Sequence, residues 1–163
     1  MKTLLLVRHA KSSWDSAAIT DFDRPLNERG KSEAPMMAKR LKELEIDIDV
    51  FISSPAKRAK KTAKLFAREL DKKENHIIYV TNLYNASAKD FYEVIQGIDD
   101  KYKTVAIFSH NPGITEFANI LTSKMVDNMP TSSVYVVKAF TKKWIEFKDT
   151  EKEFWFFDYP KKV

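Results

Sequence analysis

Two arginine and two histidine side chains lie at points where apolar stretches of this chain end. Arg8 and His9 follow the first apolar run, Arg58 follows the second, and His110 follows a later one. Guanidinium groups suit phosphate oxygens because they donate paired, charged hydrogen bonds. A neutral imidazole can attack phosphorus, and a protonated one can neutralise charge in the transition state. These residue types therefore predict phosphoryl chemistry.

Alternation of strands and helices predicts how these residues meet. Apolar runs and amphipathic stretches predict strands at residues 3–7, 50–52, 76–80, 104–109, 132–140, 144–147 and 154–157, and helices at 27–45, 54–70, from 87 and 115–121. The last two strands are expected to be antiparallel to each other. The alternation favours an α/β sandwich with a mostly parallel sheet, whose ligands bind beyond the carboxyl ends of the strands. The two arginines and two histidines should therefore share one small volume.

Local signals mark the starts of several helices. Ser54 followed by Pro55 predicts an N-cap and a first helical position. Ser87 with Asp90 three residues later resembles a capping box. Pro35 falls within a predicted helix, where it indicates either a kink or a later start.

Composition limits the class of protein. The 163 residues contain 44% hydrophobic and 31% charged residues, without repeats or linkers, which predicts a single domain over residues 1–163. The absence of cysteine excludes disulfides, cysteine zinc sites and a cysteine nucleophile. No apolar stretch is long enough for a signal peptide or a membrane span, so the expected location is the cytoplasm.

The charge balance bears on partners. The net charge of +5 suits an anionic substrate or an acidic protein partner, and no recognition motif supports binding of nucleic acid. The lysine-rich helix face at residues 57–72 is interpreted as a solvated surface, with docking of an acidic phosphoprotein as the alternative.

Three segments of the chain resemble the signature segments of a known family. LLLVRHAKSSW, FISSPAKRAKKTA and FSHNPGI are similar to those of the histidine phosphatase (phosphoglycerate mutase-like) superfamily. The Arg-His-Ala-Lys-Ser variant, the D-x-x-R-P-L-x-x-R-G run at residues 21–30 and the Leu-Tyr-Asn-Ala-Ser run at 83–87 resemble its short SixA-like phosphohistidine phosphatase branch. The likeness spans residues 3–140.

The resemblance implies a three-layer αβα sandwich with one antiparallel strand, and no metal or organic cofactor. It makes His9 the nucleophile, and Arg8, Arg58 and His110 the phosphate pocket. A phosphohistidine intermediate on His9 would then be hydrolysed by water. The implied substrate is phosphohistidine on a signalling protein.

One departure from the superfamily concerns a proton donor. Many members that act on phosphate esters carry a glutamate where this chain has Asn85, and an amide cannot deliver a proton. A histidine leaving from a phosphoramidate needs less acid catalysis than an alkoxide does, so the departure favours phosphohistidine and argues against a mutase. Asp15, Asp21 and Asp23 are candidate substitutes, although loop capping and salt bridges are the simpler interpretation.

Alternative interpretations of the same residues carry less support. The residues at 21–23 have the D-x-D pattern of aspartate-nucleophile phosphatases, but no apolar strand precedes them. A metal site built from His9, His76 and His110 lacks the usual histidine spacing. A broader small-molecule phosphomonoesterase is the stronger rival, and a non-catalytic phosphate-binding module is the weaker one.

Two further polar residues are expected at the border of the pocket. Ser53 and Asn111 directly adjoin the predicted site in sequence, and neither is predicted to be catalytic.

Overall fold

The computed structural model describes residues 1–14 and 19–162, which contain one six-stranded sheet. Its strands lie in the order β3-β2-β4-β1-β5-β6. β5 is antiparallel to both of its neighbours, whereas the remaining neighbours pair in parallel. The strands are β1 (Lys2–Arg8), β2 (Val50–Ser53), β3 (Ile78–Tyr79), β4 (Thr104–Ser109), β5 (Val134–Ala139) and β6 (Lys152–Asp158). The predicted phosphoglycerate mutase-like sheet, mostly parallel with one antiparallel strand, is confirmed.

Helices cover both faces of this sheet and complete three layers. The first two helices along the chain pack on one face and cover one apolar core, and the last two helices pack on the other face and cover a second core. The helices are α1 (Glu28–Glu43), α2 (Lys57–Glu69), α3 (Ala88–Gln96) and α4 (Gly113–Leu121).

The central strand β1 is buried on both faces. Leu5 and Val7 belong to the core under α1 and α2, and Leu4 and Leu6 belong to the core under α3 and α4. All four side chains are fully buried. A strand covered on both sides needs no polar alternation, which explains the continuous apolar run that leads to Arg8.

The predicted start of α2 is wrong by a few residues. The helix begins at Lys57, and Ser54 lies in the preceding loop. The Ser54 hydroxyl accepts a hydrogen bond from the Ala56 amide at 3.2 Å and lies 2.8 Å from a ring nitrogen of His110. Ser54 therefore orders the loop and contacts a histidine instead of capping the helix.

Other predicted boundaries agree better with the structure. Ser87 and Asp90 form the predicted capping box of α3, with both reciprocal hydrogen bonds present. Pro35 lies inside α1, which begins at Glu28 with Asn27 as its N-cap. The predicted strand at 76–80 is reduced to the two residues of β3.

The predicted strand at residues 144–147 is wrong. Trp144–Glu146 forms a 3₁₀ turn, and β6 pairs with β5 instead. Trp144 is fully buried, and its indole nitrogen donates to the carbonyl oxygen of Tyr102 at 2.8 Å. An aromatic run that anchors a turn in the core has the same composition as a buried strand, so composition alone misassigned it.

Candidate active site

Three of the four predicted side chains meet directly at the carboxyl edge of the sheet. His9 follows β1, His110 follows β4, and Arg58 lies in the first turn of α2. The ring centroids of His9 and His110 are 5.1 Å apart, and Arg58 Nε lies 3.3 Å from His9 Nε2. Each of these residues is at most 6% exposed. The structure thus brings together the residues that the strand ends predicted.

One nitrogen of the His9 ring forms a hydrogen bond to the backbone, and the other keeps a lone pair that could attack phosphorus. Nδ1 lies 2.7 Å from the carbonyl oxygen of Ala10, and a carbonyl only accepts, so Nδ1 carries the proton. Nε2 then has a lone pair and accepts from Arg58 Nε. Burial, followed by the neighbouring His110, holds the pKa of His9 well below its usual value. At neutral pH the ring is uncharged, which is the form required of a nucleophile.

Arg58 is held by Asp21 on the side facing away from His9. Its Nη1 donates to the Asp21 carbonyl oxygen at 2.6 Å, and its Nη2 donates to the Asp21 carboxylate at 3.1 Å. That carboxylate also accepts from the Tyr84 hydroxyl at 2.6 Å and from Arg24 Nε at 3.1 Å. Asp21 therefore orients the guanidinium whose Nε points at His9.

The three aspartates considered as proton donors have different positions. Asp21 lies beside the site, but the Tyr84 hydrogen bond, assisted by Arg58, lowers its pKa to about 2, so it is an anion at neutral pH. Asp23 is exposed and accepts from the Thr20 hydroxyl at 3.0 Å. Asp15 lies outside the described residues. Asn85 is exposed in a turn with a φ of 58°.

Arg8 leaves one donor unused at the site. Its Nη1 donates to the carbonyl oxygen of Met129 at 2.9 Å, whereas Nε is buried with no partner in the described part of the chain. The amide of Ser132 donates to the carbonyl oxygens of both Arg8 and His9 at 3.1 Å. A buried N–H without a partner is costly, so a ligand that accepted a hydrogen bond from Nε of Arg8 would be stabilised.

His110 is neutral in this structure. Burial, followed by the charge of Arg58, lowers its pKa to about 3. Its Nε2 lies 2.8 Å from the Ser54 hydroxyl, and its Nδ1 is buried without a partner among the described residues. The Tyr84 ring packs edge-on against it at 5.4 Å between centroids. A bound phosphoryl dianion would favour the protonated ring, so the predicted cationic role requires an occupied site.

Sequence reasoning missed a threonine that joins two parts of the site. The Thr62 hydroxyl accepts from the Ala10 amide at 2.9 Å and donates to the Arg58 carbonyl oxygen at 2.7 Å. It ties the loop after His9 to the first turn of α2. In the sequence, Thr62 stands out only as a hydroxyl residue among the mostly apolar residues on the buried side of that helix.

Ser53 and Asn111, which were expected at the border of the pocket, form hydrogen bonds with other residues of the protein. Ser53 donates to the carbonyl oxygen of Ser54 at 2.9 Å. Asn111 accepts from Thr115 at 2.6 Å and donates to Asn128 at 2.8 Å, which fixes the loop before α4.

Gly113 allows this loop to approach the neighbouring segment. A Cβ atom at this position would collide with the carbonyl oxygen of Ala86. A glycine is therefore required where α4 begins, directly after the His110 loop.

Comparison with known proteins identifies the family. Residues 4–91, more than half of the chain, match the model of the Histidine phosphatase superfamily (branch 1). The chain belongs to the histidine phosphatase superfamily. An uncharacterized chloroplastic protein of Arabidopsis thaliana is 31% identical over 153 residues, covering 89% of this chain and 70% of that protein.

Two solved phosphatase structures share the fold. The protein histidine phosphatase SixA, solved in complex with tungstate, superimposes with a TM-score of 0.82 at 20% identity, over 97% of each chain. A mycobacterial glucosyl-3-phosphoglycerate phosphatase superimposes with a TM-score of 0.69 at 14% identity, over 94% of this chain and 97% of that one.

The third histidine lies apart from this histidine phosphatase site. His76 is exposed in a 3₁₀ turn that precedes the edge strand β3. Within residues 1–14 and 19–162, no group of three histidine or carboxylate side chains could hold a metal ion. Across the same ranges, no helix combines the length and apolarity needed to cross a bilayer.

The low pKa values of both site histidines predict loss of stability in mild acid. As pH falls below about 6.5, the unfolded chain takes up protons that the folded His9 and His110 refuse, so the folded state loses stability. We expect His110 alone to contribute a loss of about 2 kcal/mol between pH 7 and pH 5, at about 1.4 kcal/mol per pH unit, with His9 adding in the same direction. Asp21 titrates near pH 2, outside this window.

Urea unfolding at pH 7 and pH 5 measures this loss. A His110→Gln variant should lose less stability over the same interval than the wild type, whereas a His76→Gln variant should behave like the wild type. An equal loss in the wild type and His110→Gln would contradict the assignment of the effect to His110.

Proposed function

We propose that this histidine phosphatase hydrolyses phosphohistidine on a protein, through a phosphoryl group carried transiently by His9. The proposal rests on which side chains of the site can accept a phosphoryl group and which can donate a proton. A neutral Nε2 of His9 faces Arg58, whereas the two nearby candidates for a proton donor are an ionised carboxylate, Asp21, and an amide, Asn85. Such a site is equipped to receive a phosphoryl group and poorly equipped to protonate an alkoxide.

In the first step, His9 Nε2 attacks the phosphorus of the bound phosphoramidate. A new P–N bond forms to Nε2 as the substrate P–N bond breaks, and its electron pair returns to the departing imidazole. The departing ring leaves neutral because its other nitrogen is already protonated. We assign the binding of the equatorial oxygens to Arg8 and Arg58, and the unpartnered Nε of Arg8 supports this assignment.

In the second step, water displaces His9 from phosphorus. The proton that Nδ1 donates to Ala10 makes the phosphorylated ring a cation, so His9 departs as a neutral imidazole. One proton of the attacking water passes to a phosphoryl oxygen, so the product is dihydrogen phosphate, and the protonated His110 balances the phosphoryl charge throughout. Inorganic phosphate leaves, and His9 returns to its starting tautomer.

A protein substrate is supported by the shape of the surface. Cavities of about 360 to 750 Å³ in the described part of the molecule are lined by residues other than the arginines and histidines of the site. Free metabolites are usually held within such cavities, whereas a phosphohistidine on a protein binds through the surrounding protein surface as well. The SixA fold, shared at a TM-score of 0.82, agrees with this substrate class.

A small-molecule phosphomonoesterase is the second candidate. The fold is also that of a mycobacterial glucosyl-3-phosphoglycerate phosphatase, at a TM-score of 0.69. Ester hydrolysis would need an acid for the alkoxide, and Tyr84 and Asp21 at the site mouth would be the groups nearest to that role.

A comparison of substrates distinguishes the two candidates. We expect kcat/KM for a phosphohistidine protein and for free phosphohistidine to exceed that for simple alkyl phosphates by about 10²-fold or more, the usual contribution of an acid catalyst. The same enzyme preparation is assayed for released phosphate with all three substrates. Faster hydrolysis of the alkyl phosphates would overturn the proposal in favour of an esterase.

A further inference from the structure

A groove lined by lysines lies along α2. Its cavity of about 460 Å³ lies between α2 and the segment that leads into α1. Pro25 and Leu26 form its apolar part, and Leu26 is only 4% exposed. We call this feature the lysine groove; its lysines are Lys31, Lys57, Lys60, Lys61 and Lys64.

Most of these ammonium groups have no carboxylate partner. Lys31 pairs with Glu28 at 3.4 Å, but within the described ranges no carboxylate lies at ion-pair distance from the four lysines of α2. Within this set the pairs 57/60, 57/61, 60/64 and 61/64 stand three or four residues apart, so like charges are neighbours on the helix surface and destabilise it. Lys60 lies over the Tyr79 ring at 5.0 Å, whereas Lys57, Lys61 and Lys64 have no ion pair or ring contact among the described residues.

The residues of the lysine groove adjoin the site residues along the chain. Lys57 is adjacent in sequence to Arg58, and Pro25 directly follows Arg24, which binds Asp21. From Lys57 the row extends along the helix for seven residues, or about 10 Å at 1.5 Å per residue. The row therefore begins next to Arg58 and runs away from it along α2, within reach of the surface that surrounds a bound phosphohistidine.

We propose that the lysine groove docks a carboxylate-rich surface beside the phosphohistidine of a protein substrate, an inference that rests on the proposed function. Unpaired ammonium groups attract carboxylates, and the Pro25–Leu26 floor accepts an apolar side chain between them. Charge complementarity selects the partner, and the phosphoryl site performs the same reaction on any phosphohistidine that reaches it. The groove thus sets which protein is dephosphorylated.

Synthetic peptides provide the test. One peptide carries a central phosphohistidine flanked by aspartate and glutamate, and the other carries the same phosphohistidine flanked by serine and glycine. We expect the wild type to hydrolyse the acidic peptide with a kcat/KM about tenfold above that of the neutral one, and this ratio to fall as salt is raised. Free phosphohistidine should show little salt dependence.

Charge-reversal variants test whether the lysine groove causes the preference for the acidic peptide. The K61E/K64E variant removes two lysines that make no ion pair or ring contact among the described residues. It should bring the ratio of acidic to neutral peptide to about one or below and leave free phosphohistidine unaffected. The matched control K142E/K143E makes the same change of charge at two exposed positions after β5, far along the chain from both helices of the groove. It should keep the wild-type ratio.

Each outcome decides the matter. A wild-type ratio near one with active hydrolysis of free phosphohistidine overturns the docking surface and leaves the proposed function standing. An equal loss in both variants assigns the effect to overall charge and also overturns it. Competition by a single-stranded RNA oligonucleotide at lower concentration than by the unphosphorylated acidic peptide would assign the groove to nucleic acid. Absence of any P–N hydrolysis overturns the proposed function itself.

Discussion

Replacing His9 with alanine is expected to abolish phosphohistidine hydrolysis, with a loss of about 10⁴-fold or more in kcat, as for other enzymes that lose a nucleophile. The expectation rests on the neutral Nε2 that faces Arg58 from 3.3 Å. Without it, the phosphoryl group has no acceptor on the protein, and water must attack the substrate directly. The His9→Ala variant should also carry no phosphoryl label after rapid acid-free quenching, whereas the wild type should carry up to one equivalent.

His76 provides the matched control for this experiment. It is an exposed histidine outside the site, so His76→Ala should retain wild-type turnover and labelling. Circular dichroism and the urea midpoint of His9→Ala establish that the variant is folded. A folded His9→Ala protein that still forms an acid-labile phosphoenzyme would refute the assignment of His9 as nucleophile.

Replacing Arg58 with lysine is expected to lower kcat/KM by about 10²- to 10³-fold, the usual effect of losing a charged transition-state donor. Lysine keeps the positive charge but loses the planar fork, which here directs Nε to His9 and both Nη atoms to Asp21. An ammonium group cannot make these contacts and bind a phosphoryl oxygen in a fixed direction at the same time. Asp21 would also lose the two hydrogen bonds from Arg58, one to its carbonyl oxygen and one to its carboxylate.

Arg68 on the same helix is the control for Arg58. It is exposed and pairs with Glu74 at 2.9 Å, so Arg68→Lys changes the same chemical group away from the site. Kinetics on free phosphohistidine should show a large loss in Arg58→Lys and almost none in Arg68→Lys. Near-wild-type activity of Arg58→Lys would mean that a point charge is sufficient and that the fork has no catalytic role.

The meeting of His9, Arg58 and His110 was predictable because each follows a buried parallel strand. Apolar runs without alternation identify such strands, and parallel strands bring their carboxyl ends to one edge of a sheet. The type of each strand-end residue then indicated phosphoryl chemistry. The antiparallel strand β5 was expected only from the family resemblance, since no periodicity gives a strand its direction.

Long-range side-chain contacts were not predictable in the same way. Thr62 joins the His9 loop to α2, and the Ser132 amide binds the carbonyl oxygens of Arg8 and His9, but both links cross more than 50 residues of sequence. Tyr84 and Asp21, 63 residues apart, form a hydrogen bond for which local propensity offers no signal. Ser54 illustrates the same limit, because its contact with His110 replaced the expected helix cap.

The position of β1 has a consequence for how the protein loses its activity. Local opening in proteins begins where few buried contacts hold the backbone, and here the two-residue edge strand β3 is such a place. The strand that ends at the nucleophile lies between β4 and β5, and its apolar residues are covered on both faces. Its amide hydrogens should exchange with solvent only through global unfolding. Local opening at the edge of the sheet therefore leaves His9 in place. We expect activity to be lost only when the protein unfolds globally.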